Sequence, residues 1–147
     1  MGAGAKAEVK PELELADDQM CFGCGTKNTR GLRLKFELDP GKQRLKARWT
    51  PTKEFQGYRD IVHGGMMGLV LDEMMVNLLW TLKQPAVTAE MTLRLHRPAR
   101  VGEPLDCEAW VAAREGRIYR MEAEAKNCEG VLVARARARC VKAGEEQ

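Results

Sequence analysis

The stretch GYRDIVHGGMMGLVLDEMM, residues 57–75, sets two adjacent carboxylates, Asp72 and Glu73, in the middle of the chain's most apolar run. It also sets His63, one of only two histidines, directly before the glycine pair Gly64 and Gly65. A carboxylate can activate water or attack a carbonyl carbon itself. The first amides of a helix have no partner inside the helix and carry the positive end of its dipole. Without side chains at Gly64 and Gly65, a ligand can come close, and the Gly65 amide can point at an oxygen that gains negative charge. The plainer readings are an ordinary glycine-containing helix start and a pair of solvated helix charges.

Helical spacing separates the two acids. Glu73 aligns with Asn77 and Thr81 at intervals of four, which makes a polar stripe. Asp72 lies instead with Gly68, Leu69, Met75, Val76 and Leu79. That face offers no other polar group, and a carboxylate there needs a purpose.

Other residues carry weaker signals. Cys21 and Cys24 form a C-x-x-C, but structural zinc normally requires a second ligand pair at similar spacing. Cys107, Cys128 and Cys140 stand singly, so no metal is expected, and the bland reading is a packed loop. Arg135, Arg137 and Arg139 make a basic strand face. Such a face is commonly solvated or protects a sheet edge, and it can alternatively meet phosphates. His96 reads as a strand-end residue.

These residues need elements to position them. GLRLKFELD alternates, with Leu32, Leu34, Phe36 and Leu38 on one face, and predicts a half-buried strand. DPGK is a turn, and RLKARW completes a hairpin with Leu45, Ala47 and Trp49. A helix is expected from near Gly64 to about Lys83, where Pro85 stops it. It is apolar on almost every side and should be buried all round. Four strands follow. The first carries Val87, Ala89, Met91, Leu93 and Leu95 on one face, and the last alternates Ala134, Ala136, Ala138 and Cys140 with the arginines. Consecutive hairpin-linked strands and one buried helix imply an α+β domain, with an antiparallel sheet of about five to six strands curled around that helix.

The chain of 147 residues suits one domain. Residues 1–20 read as a tail or short helix, 21–142 as the domain and 143–147 as a second tail. A chain this long buries roughly 68–70% of its unfolded surface. A hydrophobic content of 44% with 31% charged residues excludes a disordered chain. The net charge of +3, from 24 basic and 21 acidic residues, gives no case for nucleic acid. The run from Met66 to Trp80 contains Asp72, Glu73 and Asn77, so no membrane span is expected. Five cysteines and no apolar leader point to free thiols in a reducing cytoplasm.

Three motifs carry a resemblance. FQGYRDIVHGG, with an Asp nine residues after the His, is similar to the signature of acyl-CoA thioesterases of the phenylacetate-pathway, PaaI-like type. CFGCGTKNTRGLRLKF resembles a lead-in found in one branch of that family, and TAEMTLRLHRPARVGEPL resembles its strand after the helix. The resemblance spans about Cys21 to Val141. It implies the hotdog fold and hydrolysis of acyl-CoA thioesters to free acid and CoA, with no bound cofactor. Asp72 corresponds to the working acid, with Glu73 as the alternative, because relatives differ in which acid works. Gly65 corresponds to the oxyanion donor, and His63 would hold the loop or orient the carbonyl. Thr88 falls where the family often has a hydroxyl near the acid, and its plain reading is an ordinary strand residue. Gln56 falls where relatives carry an amide that aids the site. Gly64, Met66, Arg135 and Arg137 join Gln56 as candidate substrate contacts, the arginines on the CoA phosphates. Met66, Met67, Met74 and Met75 are expected to line an adaptable acyl pocket.

Helix geometry adds a constraint. Gly65 and Asp72 are seven residues apart on one helix, roughly 10 Å along its axis. Both must lie near one carbonyl, so they must come from different protomers, and related thioesterases are dimers that often pair into tetramers. A hydratase or dehydratase on the same fold is a rival reading, although it usually pairs a His with an acid. A non-catalytic acyl-CoA-binding module is another.

Overall fold

The computed structural model describes residues 14–144. In chain order the elements are β1 (Glu37–Asp39), β2 (Arg44–Trp49), a 3-10 turn (Lys53–Phe55), α1 (Gly64–Thr81), β3 (Ala86–Leu95), β4 (Leu105–Glu115), β5 (Ile118–Lys126) and β6 (Leu132–Lys142). The strands form one antiparallel sheet in the order β1-β2-β4-β5-β6-β3. The single helix packs on one face of it, touching five of the six strands. This is the expected hotdog arrangement, with six strands.

The helix ends two residues sooner than its apolar pattern predicts. Leu82 caps it, and Lys83 takes a left-handed φ of +61° ahead of Pro85. Val70, Leu71, Met74, Met75, Leu78 and Leu79 have no exposure at all. Each such side chain contributes roughly 1.5–3 kcal/mol by leaving water. Burial all round the helix does not hold. Asp72, Glu73, Val76 and Asn77 are only half-buried and Trp80 is 44% exposed, because the sheet covers one side of the helix and leaves the other to the chain's early residues and solvent.

Two strand expectations need correction. Residues 31–36 are not strand, although their alternation is clean. Their amides bond elsewhere: Leu32 N–H donates to the Phe22 carbonyl and Leu34 N–H to the Gly23 carbonyl, both at 2.9 Å. Only Glu37–Asp39 pair with β2. In β3 the alternation breaks. The register with β6 shifts between Thr88 and Glu90, leaving Ala89 unpaired as a bulge. Ala86 and Thr88 therefore share the helix side with Met91 and Leu93, while Val87 and Ala89 turn outward. The single face from Val87 to Leu95 does not exist.

β3 is also an edge. One of its sides pairs with β6 and, among the described residues, no strand pairs with the other. Leu95 there is 50% exposed.

Candidate active site

The start of α1 is built around an imidazole. His63 is the N-cap, and its Nδ1 accepts the Gly65 N–H at 2.9 Å. A side chain at Gly65 would place its Cβ 3.1 Å from that nitrogen, so glycine lets the ring fold back onto the helix end. An imidazole that accepts at Nδ1 carries its neutral-form proton on Nε2. The amide expected to face a substrate oxygen is thus held by His63, although both residues are exposed. His63 and Gly64 line a cavity of about 630 Å³ with Gly57, Tyr58, Met67 and Leu95.

Asp72 lies in a different cavity, of about 550 Å³, between the open side of the helix, the start of β3 and residues 14–24. Thr88 Oγ1 donates to Asp72 Oδ1 at 2.5 Å. The bulge at Ala89 makes this contact possible by turning Thr88 toward the helix. Burial raises the Asp72 carboxyl above its ordinary range; the Thr88 hydrogen bond opposes this and the neighbouring Glu73 charge adds to it. Val76, Trp80 and Val87 supply apolar wall to the same cavity.

Glu73 has other company. Cys21 Sγ lies 3.1 Å from its Oε1, and the Asn77 amide donates to that oxygen at 2.7 Å. Asn77 also donates to the Glu73 carbonyl, so the expected polar stripe exists as a bonded pair. Cys24 Sγ faces Asn77 Oδ1 at 3.9 Å. Burial first, then Glu73 and Cys21, push the Cys24 thiol far above its ordinary value.

One chain therefore brings Asp72 and Thr88 together and keeps His63 and Gly65 apart from them. Gln56 belongs to neither group: its Oε1 accepts the Asp60 N–H at 3.0 Å and closes the loop that leads to His63. Met66 is half-buried against the core and Met67 reaches the His63 cavity. Met74 and Met75 have no exposure, so the expectation that they line an adaptable acyl pocket is corrected: they lie in the core, and Val76 and Trp80 line the cavity that holds Asp72. Arg135 and Arg137 point outward from β6 and both pair with Glu122, at 3.3 and 3.4 Å. With Arg94 and His96 they border a cavity of about 290 Å³.

Sequence reasoning missed the link between the Cys21–Cys24 loop and Glu73. Its signal was present as a C-x-x-C and a Glu-Asn pair at helical spacing, but nothing local placed one on the other. Trp80 was also missed. It lies eight residues beyond Asp72, on the same helical stripe.

Comparison with known proteins agrees with this fold. Residues 60–134 match the thioesterase superfamily model, which spans the helix and most of the sheet. A crystal structure described as a thioesterase superfamily protein aligns with a TM-score of 0.80 and 19% identity, covering 96% of this chain and 73% of its own. A putative thioesterase from Ralstonia eutropha JMP134, described as phenylacetic acid degradation-related, aligns at 0.68 with 26% identity over 75% of this chain and 85% of its own. The E. coli PaaI protein from the phenylacetic acid degradation operon aligns at 0.70 with 20% identity over 76% and 84%. No curated protein sequence matches the chain. No described helix is long and apolar enough to cross a membrane. The chain belongs to the thioesterase superfamily, with the hotdog fold of its PaaI-like members.

Proposed function

We propose that the protein hydrolyses acyl-CoA thioesters to a free acid and CoA, in a site completed by two copies of the chain. The observation that carries this reading is the Asp72–Thr88 hydrogen bond in the lining of a cavity to which Val76, Trp80 and Val87 add apolar wall. Thr88 occupies Asp72 Oδ1, which leaves Oδ2 to act on water. In the general-base route, water gives a proton to Asp72 and attacks the thioester carbonyl carbon. The carbonyl oxygen becomes anionic and is met by the Gly65 amide and the helix dipole of the partner subunit. The C–S bond then breaks, and the departing thiolate takes the proton back from Asp72. Direct attack by Asp72, followed by hydrolysis of the mixed anhydride, uses the same groups.

Substrate must displace the His63 ring from the Gly65 amide. Both groups are exposed, so this exchange needs no core movement. The ring that swings away keeps an Nε2–H with which to orient the carbonyl.

Two copies are needed because the helix start and Asp72 open into separate cavities of one chain. The unpaired edge of β3, with half-exposed Leu95, offers a surface for a second copy. Relatives support the reading. A Streptococcus mutans UA159 protein is described bound to acetyl CoA, and a hypothetical thioesterase from Streptococcus pneumoniae TIGR4 with coenzyme A. That thioesterase is also described as an Asp→Ala and a Thr→Ala variant. Its two positions are 68 − 52 = 16 apart, the separation of Thr88 from Asp72.

The test is release of free CoA across aryl, short, medium and long acyl-CoA thioesters. Turnover of one class fixes the acyl preference. Binding of several with turnover of none would instead make the protein an acyl-CoA-binding module.

A further inference from the structure

Beside the candidate active site, the segment Gln19–Leu34 folds into a tight knuckle against the open side of the helix. Gly25 N–H donates to the Cys21 carbonyl at 2.8 Å and Lys27 N–H to the Gln19 carbonyl at 3.0 Å. The Leu32 and Leu34 amides hold its far side. This fold delivers Cys21 and Cys24 to one carboxylate, that of Glu73. One ligand atom from each of the three lies within 4.8 Å of the others. The approach depends on Gly23, where a Cβ would stand 2.6 Å from the Glu73 Cδ.

The geometry points to a thiophilic metal site, with Zn²⁺ as its natural occupant, held by Cys21, Cys24 and Glu73. The missing second pair of the C-x-x-C is supplied by the helix instead of by two more cysteines. Asn77 stands one turn beyond Glu73. Its Nδ2 holds the Glu73 carboxylate at 2.7 Å, while its Oδ1 faces Cys24 Sγ. Amide support of this kind orients a metal-ligating carboxylate. Two sulfurs and one carboxylate oxygen match the donor preference of zinc and leave a fourth position for the Asn77 oxygen or a water. On binding, each thiol loses its proton to solvent as its sulfur bonds the metal, so two thiolates and one carboxylate surround one dication. Glu73 makes no ion pair among the described residues, so no side-chain cation competes for the place.

The role is structural. The knuckle and the residues just before it form one wall of the cavity that holds Asp72 and Thr88. A metal there would pin that wall to the helix one residue from Asp72. The site stands on its own donors and holds whether or not the protein is a hydrolase.

The full-length chain, purified under reducing conditions with Zn²⁺ supplied and then desalted, is measured for metal by elemental analysis. About one zinc per chain is expected, falling at least ~10-fold in Cys21→Ser and Cys24→Ser and partly in Glu73→Gln, with Cys128→Ser unchanged. Cobalt in place of zinc should give a thiolate-to-cobalt charge-transfer band that the two serine variants lose. Should those variants fail to fold, alkylation of Cys21 in the wild type decides: zinc protects it, and a strong chelator exposes it. Absence of retained metal, retention equal in Cys21→Ser, or alkylation indifferent to the chelator would overturn the proposal. So would a Cys21–Cys24 disulfide that forms in air despite supplied zinc, since the pair would then be a redox couple.

Discussion

The Thr88 hydroxyl lies 2.5 Å from Asp72 Oδ1 and ties the middle of the helix to the free edge strand. No other polar side chain reaches Asp72 among the described residues. Thr88→Val keeps the shape and removes the donor. It should lower kcat at least ~10-fold, the scale of a hydrogen bond to a charged group. Thr88→Ser should restore most of the rate. If valine and serine behave alike, the hydroxyl does not position the acid.

Asp72→Asn should lose at least ~100-fold more rate than Glu73→Gln, the scale of an acid–base group. Asparagine keeps the size of the side chain and can still accept from Thr88, so folding should survive. Steady-state kinetics of the two purified variants settles the matter. A larger loss in Glu73→Gln would move the chemistry to the acid that the Cys21 loop now covers.

A shared site predicts complementation. Asp72→Asn and Gly65→Val are each inactive in this reading. Unfolded and refolded together, about half of the dimers are mixed and each carries one intact site, so about a quarter of wild-type activity should return. Mixed dimers are confirmed by tagging one variant, and each variant is checked for folding alone. Mixed dimers without activity would mean that one chain supplies both groups.

The cysteines should separate cleanly toward an alkylating reagent. Cys128 is exposed and should react in the native protein. Cys107 is 2% exposed, and burial pushes its thiol up to about 12. Cys140 has no exposure and is raised for the same first reason. A thiol must ionise to react, so Cys107 and Cys140 should label only after unfolding. Peptide mapping by mass spectrometry reads this directly, and native labelling of Cys107 would contradict the packing of β2 on β4.

If Arg135 and Arg137 meet CoA phosphates, Arg137→Ala should raise KM ~10-fold for an acyl-CoA, the scale of one charge-assisted contact. The same acyl group on pantetheine, which lacks the nucleotide, should be unaffected. Equal effects on both substrates would return the arginines to a solvated face paired with Glu122.

Much of this molecule is local and was readable as such. A long apolar run between His63-Gly64-Gly65 and Pro85 can only be a helix buried on a sheet. The alternation of Ala134–Cys140 with arginines fixes which side of β6 is core. Separating Asp72 from Glu73 needed only the 3.6-residue period. The partner of each acid was not local. A strand keeps its alternation until a bulge changes it, and the bulge at Ala89 is set by the register with β6, far later in the chain. It sends Val87 outward and Thr88 to Asp72, the reverse of the plain pattern. The clean alternation of residues 31–36 was likewise overruled, because the Cys21 knuckle takes the Leu32 and Leu34 amides before β2 can. That same packing carries two thiols to Glu73. Sequence spacing specifies which groups share a face of one element. Which faces meet depends on hydrogen-bond register and on closing long loops, and those are decided only when the whole sheet forms.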